Sequence, residues 1–183
     1  KVAITSTLPV FEQFVPGHAP LDPRAMTVLT PQAREALLYS RDRLNSAPRE
    51  FTARIAEGLK MTMALERRFA QAGGLLLVGP DPTGNGGVVP GFGDHRAIEL
   101  LVEAGFSPVE AIKVGTLNGA TYLGLADRIG SIAPGMRADL LVVKGDPSKA
   151  IADIRNVAIV FKDGVGYDPD KLLDSVRGRY GQY

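Results

Sequence analysis

Residues 75–87 read LLLVGPDPTGNGG, and the reading of this stretch decides the fold. The apolar run Leu75 to Val78 comes directly after Gly73 and Gly74. A glycine pair ends a helix through left-handed backbone, and an unbroken apolar run behind a helix predicts a parallel strand covered on both faces. Gly79 to Gly87 are so rich in Gly and Pro that they predict a loop. That loop carries Asp81, a few residues past the end of the strand.

On the N-terminal side, Val2 to Leu8 is a short run rich in β-branched residues, stopped by Pro9, and predicts a second buried strand. Phe11 to Leu29 holds Pro16, Gly17, Pro20 and Pro23 without periodicity and predicts a long irregular loop. Thr30 before Pro31 is a helix start, since the hydroxyl can cap free N–H groups and proline suits the first turn. A further helix begins near Pro48, with Phe51, Ile55, Leu59 and Met63 four apart, a stripe that reads as core.

On the C-terminal side, His95 to Ala104 predicts a helix that Gly105 stops. Ser107, Pro108 and Glu110 form a capping box with proline in the first turn, and Val109, Ile112 and Leu117 are the expected apolar face. A helical turn is expected at Ala120 to Leu123. After Leu125 the character changes: Ala138 to Lys144 and Val157 to Lys162 predict short strands between Gly and Pro turns. From Asp168 onward a charged tail predicts a surface helix.

The bulk numbers narrow the function classes. Of 183 residues, 45% are hydrophobic and 22% charged, which excludes disordered and collagen-like chains. A net charge of +1 with interspersed signs argues against nucleic acid as a partner. With no cysteine there is no thiolate catalysis, disulfide or cysteine-ligated zinc, and compartment stays open. No apolar run approaches the ~20 residues of a membrane helix, so no membrane partner is expected. The chain opens on Lys1 and a strand-like run, a beginning that reads as a cut. The glycines of the 79–87 loop lack the Lys-Ser/Thr of a P-loop, and no G-x-S-x-G elbow occurs.

Three features now coincide: the strand ending in an Asp-bearing loop, the helical stretch EAGFSPVEAIKVGTLNGATYLGL (103–125), and GSIAPGMRADLLVVKGDP (130–147) with VFKDG (160–164) behind it. In these the chain resembles the amidohydrolase superfamily, most closely its imidazolonepropionase-like and Xaa-Pro dipeptidase-like branch. The resemblance implies an α/β fold: residues 1–126 as the last strands and helices of a (β/α)₈ TIM-like barrel, with an insertion at about 9–50. It further implies that 127–167 is the C-terminal half of a small composite β-sandwich, with 168–183 a tail. Val2 to Leu8 would be the seventh barrel strand and Leu75 to Val78 the eighth.

The resemblance also assigns roles. Asp81 would be both metal ligand and catalytic proton shuttle, moving a proton from a metal-activated water to the leaving amine, because a hard anionic oxygen can bind a divalent cation and accept a proton. Without it, Asp81 reads as a turn aspartate between Pro80 and Pro82. The family usually has Thr before this aspartate. Asn85 and His95 would belong to the loop over the substrate; the alternative for His95 is a helix-start histidine bonded to a neighbour. His18 reads as exposed and receives no role.

The implied cofactor is a divalent metal, with zinc expected, as one or two ions. Most of its ligands, a His-x-His pair among them, would lie outside this chain. The implied partners are an N-terminal portion or second chain carrying those histidines and a small peptide or cyclic amide as substrate, in a homo-oligomer. The chain alone is expected to be inactive. Two rival readings are a non-catalytic α/β interaction module and a barrel with a vestigial metal site.

Overall fold

The structure, a computed structural model, describes residues 2–17 and 21–181. Strand β1 (Ala3–Ser6) is followed by helices α1 (Leu8–Glu12), α2 (Pro23–Val28), α3 (Pro31–Asn45) and α4 (Arg49–Gln71), then strand β2 (Leu75–Val78). Helices α5 (Phe92–Glu103), α6 (Pro108–Gly115) and α7 (Leu117–Tyr122) come next. Strand β3 (Leu140–Val143), a 3₁₀ turn (Ile151–Arg155), β4 (Val157–Lys162), β5 (Val165–Tyr167) and α8 (Pro169–Ser175) complete the chain.

β1 and β2 pair in parallel, Ala3 opposite Leu75 and Ser6 opposite Val78. Two adjacent parallel strands need a crossover, and the α1–α4 segment supplies it. Helices α4, α5 and α6 lay Leu59, Met63, Ile98, Leu101, Ala111 and Val114 against Leu76 of β2 and Leu8. Packing is close enough that a Cβ on Gly115 would sit 2.9 Å from the Ile98 side chain. A separate cluster of Val28, Leu29, Ala33, Leu37 and Val89 holds α2 and α3 to the loop after β2. Strands β3, β4 and β5 form an antiparallel meander.

The capping signals act as read. The Thr30 side chain accepts from Ala33 N at 3.1 Å, and Ser107 and Glu110 make a reciprocal box; Asp168, read only as the head of a charged tail, also caps α8. Other expectations need correction. The stretch 11–29 is not wholly irregular: Leu8 to Glu12 and Pro23 to Val28 are helical, because Pro9 and Pro23 occupy first-turn positions and Asp22 caps Arg24 N. His18 falls outside the described residues. Phe51 is exposed, so the α4 stripe becomes core only toward its C-terminal half. On α6, Ala111 and Val114 are buried and Ile112 packs against the core, while Val109 is exposed. Helix α5 begins at Phe92, before His95, and Asp94 accepts from Gly91 N at 2.8 Å to close its first turn. The tail beyond α8 is docked: Tyr180 N donates to Val28 O and Thr30 N to Tyr180 O, both at 2.9 Å.

Candidate active site

The C-terminal ends of β1 and β2 lie side by side, and Gly79 N donates to Ser6 O at 2.9 Å, so the pairing extends past Val78. Asp81 follows at this rim. Its φ is 49°, a left-handed conformation that costs a non-glycine residue roughly 1–2 kcal/mol, although Asp tolerates it better than most. Pro82 favours extended backbone at the preceding residue, so the positive φ of Asp81 runs against the proline's local preference. Asp81 is exposed, and its carboxylate makes no hydrogen bond or ion pair among the described residues. Strained backbone under an unengaged acid at a strand end is an arrangement that functional sites favour.

The loop that carries Asp81 is internally braced. Thr83 N donates to Val88 O at 3.1 Å, and Val88 N donates back to the Thr83 hydroxyl at 2.9 Å. The Tyr180 hydroxyl donates to Thr83 O at 3.0 Å, so a residue from the far end of the chain clamps the loop. Asn118 on α7 donates to Leu76 O at 2.8 Å and fixes β2 from the other side. Sequence reading missed both. Asn118 lies inside the 103–125 motif, whereas Tyr180 is 97 residues from its partner and carries no local signal.

Behind the rim sits an ionic network. Glu12, 1% exposed, receives the Arg96 guanidinium through Nε at 2.9 Å and through Nη2. Arg96 also donates to Glu99 at 2.9 Å, and Glu99 accepts from Arg155 at 2.6 Å, with Asp22 3.7 Å from Arg155. Burial works against the Glu99 carboxylate, but hydrogen bonds from Arg155 and Arg96 outweigh it and hold its pKa below the usual range. The network ties α1, the start of α2, α5 and the 3₁₀ turn into one support for the two loops.

The two substrate-loop residues do not come together. Asn85 accepts from Gly87 N at 3.0 Å in a turn and lines a cavity with the α3–α4 hairpin. His95 lines another cavity, about 320 Å³, between α5, the β3–β4 sheet and α8, with Arg24 and Arg155. Burial lowers the His95 pKa, and Arg155 and Arg24 push the same way against Asp94 and Glu99, so the imidazole is neutral at pH 7. Asp81 lines neither cavity. Among the described residues no group of three His, Cys, Asp or Glu side chains gathers as a cation site. Asp81 therefore offers one hard oxygen donor, a fit for a single position around a divalent ion.

Two parallel strands backed by helices, with an acid-bearing loop at their C-terminal rim, give an α/β arrangement like a fragment of a TIM-type barrel. The family model described as "Amidohydrolase family" matches residues 25–166, and the chain belongs to that family. It is 35% identical over 111 residues to an imidazolonepropionase of Deinococcus deserti, covering 58% of this chain and 27% of that protein. It is 47% identical over 66 residues to an adenine deaminase of Desulfatibacillum aliphaticivorans, covering 36% of this chain and 11% of that protein. A Xaa-Pro dipeptidase crystal structure with methionine bound in its active site superposes with a TM-score of 0.57 at 24% identity, covering 91% of this chain and 39% of that one, a likeness of fold. The chain thus spans well under half the length of these relatives.

Proposed function

We propose that these residues complete a metal-dependent hydrolase that breaks an amide C–N bond, in a peptide or a cyclic amide, and that Asp81 is their contribution to its chemistry. The observation that carries this reading is the free Asp81 carboxylate on strained backbone at the C-terminal rim of parallel strands. The names of the relatives, an imidazolonepropionase and an adenine deaminase, agree with chemistry at carbon–nitrogen bonds.

Asp81 would hold one or two divalent ions, zinc being expected, together with histidines from outside this chain; the ion would lower the pKa of water and polarise the scissile group. An exposed carboxylate with no competing donor can accept the proton of the attacking water at hydrogen-bond distance and hand it to the departing nitrogen. Braced by Thr83, Val88 and Tyr180, the loop holds that oxygen in place between the two transfers.

The remainder of the barrel would come from further sequence or from another chain in the same particle. Among the described residues β1 and β2 form a two-stranded sheet, each strand with an unpaired edge, which further strands of a barrel would cover. The β3–β5 meander likewise presents Val142, 44% exposed, opposite Ile159, 39% exposed, on one face. This face would receive the other half of a composite sandwich.

The test is Asp81→Asn in the full-length protein. Hydrolysis of a dipeptide or cyclic amide panel should fall by about 10²-fold or more, the usual worth of a positioned acid–base group. Thermal stability should hold. Full activity in this variant would end the assignment.

A further inference from the structure

A cavity of about 470 Å³ is lined in part by Asn85 and Gly87 of the loop that carries Asp81. Its walls come from both strand ends: Gln13 and Phe14 follow β1, Asn85 and Gly87 follow β2, and the α3–α4 hairpin closes the far side. The volume falls within the ~300–1,000 Å³ of small-molecule sites. Three aromatic rings meet there and each is largely open: Phe14 is 48% exposed, Tyr39 64% and Phe51 55%. Arg43 stands over the Tyr39 ring at 5.9 Å from its centroid, and no carboxylate among the described residues pairs with it. Arg41 lies alongside, and no acidic residue lines the cavity among the described residues.

Open rings and an unpaired guanidinium complement a ligand that is apolar at one end and anionic at the other. We propose that this cavity binds the non-reacting end of the substrate, an apolar ring or branched chain bearing a carboxylate. Phe14, Tyr39 and Phe51 take the apolar part, and Arg43 takes the carboxylate. The inference rests on the hydrolase reading above, because that reading makes the strand-end face the reacting face. It assigns substrate selection to the α3–α4 hairpin, so the specificity element and the proton shuttle stand on separate loops.

The experiment is calorimetric titration of the full-length protein with N-acetyl-L-phenylalanine and with its uncharged amide. The acid should bind and the amide bind several-fold more weakly. Tyr39→Ala and Arg43→Gln should each weaken the acid by about 10-fold, the equivalent of one charge-assisted contact, while Arg43→Lys recovers part of the loss. Thermal melts of each variant accompany the titrations. Unchanged affinity in both variants overturns the proposal, and so does a drop in melting temperature with affinity intact, which would mean that the rings are covered by other parts of the protein. Hydrolytic activity is scored separately. Hydrolysis without acid binding removes the cavity's role and leaves Asp81 standing; acid binding without hydrolysis supports the cavity and removes the reading of Asp81.

Discussion

Two carboxylates show how placement alone separates roles. Asp81 keeps its oxygens in water on left-handed backbone, where they are available to a cation and a proton. Glu66 on α4 is buried, its Oε2 without a hydrogen-bond partner, and burial raises its pKa above the ordinary 4.5 despite the nearby Ser6 hydroxyl. Below the unfolded value the group is protonated in both states and carries no penalty. As pH rises through the folded value, ionisation would place a charge in the helix–strand interface, so stability falls toward neutrality. Glu66→Gln is expected to raise the melting temperature at pH 7 and leave it unchanged near pH 4, measured by thermal denaturation at both pH values.

At the scale of elements, the loop bearing Asp81 depends on pieces far away in sequence. Tyr180→Phe removes the clamp on Thr83 O, a loss of about 1 kcal/mol of local stability, the net worth of an ordinary hydrogen bond. Hydrogen exchange at Val88 N should quicken while the α5 amides keep their protection. The Glu12–Arg96–Glu99 network is stiffer. Arg96→Ala removes the guanidinium that bridges Glu12 and Glu99, and breaking a buried pair in this way costs about 3–5 kcal/mol. Lysine should recover little of that in chemical denaturation, because it cannot reproduce the forked contact of the guanidinium with Glu12.

For the whole molecule, a single donor at the rim does not make a metal site. Structural and catalytic zinc sites need three or four protein ligands, and the described residues gather no such group. The isolated chain should therefore bind zinc no more tightly than its Asp81→Asn variant in equilibrium dialysis, whereas full-length protein should bind it stoichiometrically and lose activity on chelation. Tight zinc binding by the isolated chain would contradict this.

Much of the fold was legible because its signals are local. A Thr or Ser before a proline, a glycine pair before an apolar run and an Asp heading a charged tail each act within one turn of chain, and each sits where the sequence placed it. Helices α1 and α2 escaped notice because they are short and embedded among prolines that read as breaks. The apolar face of α6 was misjudged because burial follows the packing partner, and small Ala111 meets the core where bulky Val109 does not.

The sequence by itself determined most of the element types, the family and the location of Asp81 just past an apolar strand, since all three follow from neighbours along the chain. Only the tertiary structure decided that Asn85 and His95 face different cavities, that Tyr180 clamps the Asp81 loop, and that Glu12, Arg96, Glu99 and Arg155 form one network. Those contacts join residues dozens of positions apart, and their partners are chosen by how helices stack on two strands rather than by any pattern a local window contains.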